Sequence, residues 1–166
     1  MSTQPAEDPA ANLSPDKVLT IGSYGETVAA YRYLVLAEKA HTEAERTEFA
    51  AMADEEQDHK QRLQKLLADH YPGADFVLTP EDKDMVVDGP RLLEVRDTET
   101  FARAMKMILA SERKTAAFYA RLSKLVPQSQ FRDLFHELAE EGVDHYQRLK
   151  VIADEVNVTD DDAPIA

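Results

Sequence analysis

The chain repeats its own chemistry at a fixed offset of 86 residues, and this constrains its fold more than any other feature. Glu26 recurs as Glu112 and His59 as His145. The surroundings recur with them: Tyr33 matches Tyr119, Arg46 matches Arg132 and Phe49 matches Phe135. The block Asp58-His59-x-Gln61-Arg62-Leu63 returns as Asp144-His145-x-Gln147-Arg148-Leu149, and no gap is needed between 26 and 63. The register breaks at one chemically telling position. Glu56 stands three residues before His59, and its counterpart is Gly142. Two half-sites of carboxylate and imidazole on repeated segments point to a two-metal centre with one ligand missing.

The repeat sits on helical patterns. Ser14-Pro15-Asp16 is a helix start, with a capping serine and proline at the first helical position, and the first helix is expected from 15 to about 40. Thr42 followed by Glu45 is a capping box that opens a second helix, ending near His70 before Tyr71-Pro72-Gly73. A third helix is expected over about 98–126 and a fourth from Pro127 to about 156. The two short connections make antiparallel hairpins. The stretch from 71 to about 97 holds Pro80 and Asp88-Gly89-Pro90 and reads as irregular. It is long for a bundle connection, and long enough to carry the chain back along a helix pair. The expected organisation is therefore all-α: a loose tail over 1–13, a four-helix bundle with one long crossover over 14–156, and an acidic tail over 157–166.

Within the helices, the candidate ligands lie on core stripes. Phe49, Met52, Glu56, His59, Leu63 and Leu66 follow steps of three and four, as do Phe135, Leu138, Gly142, His145, Leu149 and Ile152. Glu112 lies among Phe101, Met105, Ile108 and Tyr119, and Glu26 shares a face with Leu19, Ala30 and Tyr33. An unpaired carboxylate inside a bundle is costly. No Lys or Arg lies on these stripes near the glutamates, so a bound cation is the economical partner. Carboxylate with imidazole and no sulfur suits iron, manganese or zinc. A lone Glu-x-x-His is most often a solvated pair; four such side chains on four helices at equivalent depth are not easily explained that way.

Composition narrows the remaining classes. The 166 residues carry 19 basic and 32 acidic side chains, a net charge of −13. That argues against nucleic-acid partners and anionic membranes, both of which need a basic surface. There are no cysteines, hence no disulfide frame and no thiolate ligand. No basic region followed by an apolar run marks a signal peptide, and no apolar stretch reaches membrane-spanning length. The expectation is a cytoplasmic protein.

Gly25-Glu26 with Arg32-Tyr33, Ala53-Asp54-Glu55-Glu56-Gln57-Asp58-His59, Ser111-Glu112 through Phe118-Tyr119, and Leu138-Ala139-Glu140-Glu141-x-x-x-His145 together resemble rubrerythrin-like members of the ferritin-like superfamily over residues 15–156. The resemblance implies a ferritin-like four-helix bundle holding a di-iron centre that reacts with peroxide or dioxygen, supplied by an external electron donor, in a homodimer. It implies Glu26, Glu56 and His59 on one iron and Glu112 and His145 on the other. Glu56 and position 142 correspond to the family's bridging carboxylates. The chain departs from the family at Gly142, at Thr115, where a further carboxylate is common, and in having no cysteine-ligated module. Glu141, four residues before His145, either turns inward as the replacement metal ligand or, like Glu55, faces solvent or a neighbouring helix. Gly142 is expected to make the half-sites unequal and to leave room beside His145. The readings that compete with an oxidoreductase are a non-catalytic iron-binding or storage protein and a structural bundle with a degenerate site.

Overall fold

The computed structural model describes residues 9–158; most of the expected terminal tails, 1–8 and 159–166, lies outside the described residues. Four long helices form the body: α1 (Pro15–Glu38), α2 (Glu43–His70), α4 (Thr98–Leu125) and α5 (Ser129–Glu155). A short helix, α3 (Pro80–Asp84), lies in the crossover, and Pro9–Asn12 forms one turn of 3-10 helix ahead of α1. No strand occurs among the described residues, and none of their helices is long and apolar enough to cross a membrane.

The helix starts follow the local sequence. The Thr42 hydroxyl accepts from the Glu45 amide while the Glu45 carboxylate accepts from the Thr42 amide, closing the capping box that opens α2. An N-cap of this kind is worth about 1 kcal/mol. Asp97 and Thr100 do the same for α4. The crossover is more ordered than its composition suggests. Thr79 and Asp82 form a third capping box around Pro80, and buried Asp82 pairs with Lys17 of α1 at 3.3 Å. This corrects the expectation of an irregular segment: three residues of cap chemistry suffice for one turn and a half of helix.

The α1–α2 and α4–α5 hairpins each pack tightly within themselves and face each other across the core. The apolar interior falls into two clusters. One gathers Leu36, Phe49, Met52, Met105, Tyr146 and Leu149; the other gathers Leu19, Leu63, Leu122, Phe131, Phe135 and Leu138. The glutamates and histidines of the repeat belong to neither cluster and form a polar layer at the registers between them. Helix α1 is buried on two stripes rather than one. Leu19, Glu26, Ala30 and Tyr33 face the core, whereas Ile21, Gly25, Val28 and Arg32, also at steps of four and three, lie under the crossover. The crossover thus covers one side of the polar layer.

Candidate metal centre

Helical spacing brings Glu56 and His59 of α2 to one level, one turn apart on one face, and Glu26 from α1, Glu112 from α4 and His145 from α5 converge there. Two groups result, each with ligand atoms within 4.8 Å of one another: Glu26, Glu56, His59 and Glu56, Glu112, His145. All five residues are buried. Glu56 belongs to both groups and divides its oxygens between them. Its Oε2 lies 3.6 Å from His59 Nδ1 and its Oε1 lies 2.5 Å from His145 Nδ1. Glu26 Oε2 stands 3.6 Å from His59 Nδ1, and Glu112 Oε1 stands 3.8 Å from His145 Nδ1. The two imidazoles stack with centroids 5.7 Å apart.

The orientation of these groups tests their fitness for an ion. Despite its closeness to Glu56, buried His145 Nδ1 makes no aligned hydrogen bond. Ligands that converge on a shared third point approach one another without pointing at one another, and this is that geometry. A set of three carboxylates and two imidazoles suits iron, manganese or zinc.

A second layer fixes the first, and every contact in it crosses between the halves. Tyr33 donates to Glu112 Oε1 at 2.5 Å, and Tyr119 donates to Glu26 Oε1 at 2.7 Å. Burial and the adjacent glutamates push both phenols well above their ordinary pKa, so they stay protonated and remain donors. On the far edge of each imidazole, His145 Nε2 meets Glu55 at 2.6 Å and His59 Nε2 meets Glu141. Arg148 holds Glu55 at 2.8 Å and Arg62 holds Glu141 at 3.1 Å. A carboxylate on Nε2–H places the proton there and turns the Nδ1 lone pair toward the centre.

Glu141 therefore stands outside both candidate groups. Its carboxylate sits on the outer edge of His59, with its side chain 38% exposed, rather than in the place of the missing ligand. The reason is its angular position: it is the equivalent of Glu55 in the repeat and performs the same service for the opposite histidine. Although Gly142 was expected to make the half-sites unequal, the two groups draw on equal donor sets, because the shared Glu56 gives each two carboxylates and one imidazole. Nor does Gly142 leave room. A Cβ there would lie 3.2 Å from the Ala116 Cβ on α4, so the glycine serves a close approach of α4 and α5.

Without a cation the layer retains protons. Burial, then the charge of Glu56, raises Glu26 from 4.5 to about 8. Burial opposes charge on His59, but its contacts with Glu26 and Glu56 outweigh it and raise the imidazole from 6.5 to about 10. His145, opposed by burial and supported by Glu112 and Glu56, rises to about 12. Protons thus occupy the positions where a cation would act, and metal uptake must release them.

The open space lies on the other side of the carboxylates, under the crossover. A largely enclosed cavity of about 20 Å³ is lined by Glu26, Glu56 and Glu112 and closed by Gly25, Arg32 and Val86, among others. Arg32 is buried and ties the crossover down: Nη2 donates to the Asp88 carbonyl at 2.8 Å and the Pro90 carbonyl at 2.7 Å, and Nη1 donates to Ser111 Oγ at 3.0 Å. Neither Val86 nor the role of Arg32 follows from the repeat, since the crossover has no second copy. The available signal was the second apolar stripe on α1, which announces a cover.

A family model described as Rubrerythrin matches residues 17–153, and the chain belongs to that family. No curated protein matches its sequence. Among solved structures, a hypothetical protein from Pyrococcus furiosus is similar with a TM-score of 0.76 and 25% identity, covering 89% of this chain and 92% of that one. A dodecameric thioferritin, the bacterioferritin-related protein from Bacteroides fragilis, is similar with a TM-score of 0.67 and 20% identity over 86% of each chain. A manganese catalase from Anabaena has a TM-score of 0.66 and 20% identity, covering 100% of this chain and 86% of that one. These likenesses show the ferritin-like bundle.

Proposed function

We propose that this rubrerythrin-family protein holds two redox-active divalent ions, iron foremost and manganese next, and reduces peroxide or dioxygen at them. Glu26, Glu56 and His59 hold one ion and Glu56, Glu112 and His145 the other. The observation that carries this reading is the Glu56 carboxylate, buried between two histidines with one oxygen turned to each group. A bound pair of such ions would supply the two electrons that convert one hydrogen peroxide and two protons to two waters, and an external electron donor would restore them. Three carboxylates against two divalent cations leave one positive charge when both imidazoles are neutral, which favours a small anion at the centre. The protein's own part is to exclude bulk water with the two apolar clusters and to hold the ligands from behind: Tyr33 and Tyr119 keep Glu112 and Glu26 in place, and Glu55 and Glu141 aim the imidazoles.

The test uses purified chain, stripped of metal and reloaded with iron or manganese. Two ions per chain are expected, lost in the His59→Ala, His145→Ala double variant, with rapid oxidation of the reduced centre by hydrogen peroxide. Unchanged metal content in the double variant would sink the ligand assignment. Full loading with no response to peroxide or dioxygen would leave an ion-holding protein without turnover.

A further inference from the structure

The cavity beside the three glutamates has a wall with an unusual construction. Val86 is buried, and it presses so closely on α1 that a Cβ on Gly25 would lie 2.9 Å from the Val86 Cβ. Glycine is a poor helix former compared with alanine, so the close contact is maintained against local propensity. The segment is pinned on both flanks. Thr115 Oγ1 donates to the Val86 carbonyl at 3.2 Å, the Asp88 amide donates to Ser111 Oγ at 2.8 Å, and Arg32 clamps the carbonyls of Asp88 and Pro90. These partners break the repeat: Gly25 stands opposite Ser111, Ala29 opposite Thr115, and Arg32 opposite Phe118. Their departure from the register is concentrated where the crossover lies.

The enclosed volume sets a limit on size. A water needs roughly 10–15 Å³, so about 20 Å³ accommodates a molecule of one or two heavy atoms. The wall also sets a chemical preference. Arg32 contributes a positive charge, and its buried Nε has no hydrogen-bond partner among the described residues. A charged guanidinium and three carboxyl groups around so small a space favour a polar molecule over an apolar one.

We infer that the crossover segment from Val86 to Pro90 is the size filter of the metal centre, admitting hydrogen peroxide to the cavity and excluding alkyl hydroperoxides. Val86 is the specificity-determining residue, and Thr115, Ser111 and Arg32 position it. This rests on the peroxide reading above and adds the substrate class. An alkyl group attached to the peroxide has no space unless Val86 withdraws. Shortening Val86 to alanine removes two methyl groups from the wall, a change of the size that alters discrimination by about 10–200-fold in apolar pockets.

The experiment compares metal-loaded native protein with Val86→Ala in two assays. The first follows oxidation of the reduced centre by hydrogen peroxide and by ethyl hydroperoxide. The second measures binding of fluoride and of acetate by calorimetry, with no turnover. Native protein is expected to prefer hydrogen peroxide and to bind fluoride but not acetate. In Val86→Ala the preference should narrow by about tenfold or more, and acetate should bind. Should Val86→Ala not fold, Gly25→Ala, which displaces Val86 from the α1 side, must give the same widening. Equal rates with both peroxides and equal binding of both anions in native protein overturn the filter and leave the peroxide reading standing. Oxidation by neither peroxide overturns that reading, and the fluoride–acetate comparison then decides the filter alone. A chain that takes up no metal overturns both.

Discussion

The two hairpins of the bundle start from one pattern and end with different duties. On the histidine side they are equivalent. Glu55 serves His145 as Glu141 serves His59, and Arg148 and Arg62 hold those glutamates in turn. Tyr33 and Tyr119 exchange glutamate partners in the same crossed manner. On the crossover side the halves diverge: α1 offers Gly25 and Arg32, and α4 offers Ser111 and Thr115, to a segment that occurs once. Duplication supplies a symmetric ring of ligands and supports. The unduplicated connection supplies the cover over the cavity beside the three glutamates. The remaining asymmetry, Glu56 against Gly142, lies between these regimes, because Glu56 alone belongs to both candidate groups.

The sharpest way to break this comparison is at Glu56. If its two oxygens serve separate ions, Glu56→Ala should abolish tight binding of both, while Glu26→Ala and Glu112→Ala should each leave one. Metal content of reloaded protein measures this directly. One firmly held ion in Glu56→Ala would show that the carboxylate belongs to one half alone.

The next largest effect concerns protons. Glu26, His59 and His145 all hold protons more tightly in the metal-free fold than their ordinary values of 4.5 and 6.5 allow. For groups with raised pKa, the stability they contribute is fully present below the unfolded value and is lost as pH climbs through the folded one. The loss for Glu26 runs from 4.5 to about 8, and for His59 from 6.5 to about 10. The Tm of metal-free protein should therefore fall as pH is raised across this range. Each kcal/mol lost lowers Tm by about 2–4 °C in a domain of this size. Loaded protein, with its ions in place of those protons, should show little of this slope. A metal-free Tm that rises with pH would contradict the proton occupancy of the layer.

The sequence made the symmetric part of this molecule legible and left the rest obscure for a physical reason. The offset of 86 marked Glu26, His59, Glu112 and His145, and the core stripe of the second helix marked Glu56; the structure brings all five together. Pro15 and the Thr42–Glu45 box set helix starts that the structure contains, although the Ser14 side chain, expected to cap the first helix, makes no cap hydrogen bond. Helical periodicity places a side chain on a face of its own helix, but not against a particular neighbour. Glu141 was ambiguous on those grounds, since only the approach of α2 decides that it meets His59. Gly142 looked like vacant space because spacing alone carries no information about how closely Ala116 approaches. Val86 carried no signal, lying in a segment without periodicity.

The crossed supports offer a finer test. Glu141→Gln should weaken the ion held by His59, on the opposite hairpin, and Glu55→Gln should weaken the ion held by His145. Loss of such outer partners costs about 10–100-fold in metal affinity. Stepwise titration of metal-free variants resolves which ion is affected. If each substitution weakened the ion on its own hairpin, the crossed arrangement would be wrong. Equal weakening of both ions by either variant would mean that the two histidines act as one unit through Glu56.

The smallest effect tests why the halves differ at 142. Alanine is the better helix former by about 1 kcal/mol, so Gly142→Ala gains locally. Its Cβ would lie 3.2 Å from the Ala116 Cβ, tight enough that α4 and α5 must separate by a few tenths of an ångström. The two effects oppose, and the net change in unfolding free energy should stay within about 1 kcal/mol. Ala116→Gly alone loses about the same helix propensity. Combining the two moves the methyl group from α4 to α5 and removes the crowding, so the double variant should be more stable than the sum of the singles, with a coupling of at least about 0.5 kcal/mol. Denaturant unfolding of metal-free protein measures all three. Strict additivity would show that Gly142 does not exist for the contact with Ala116, and the missing carboxylate would then have to be explained from the metal side of the helix.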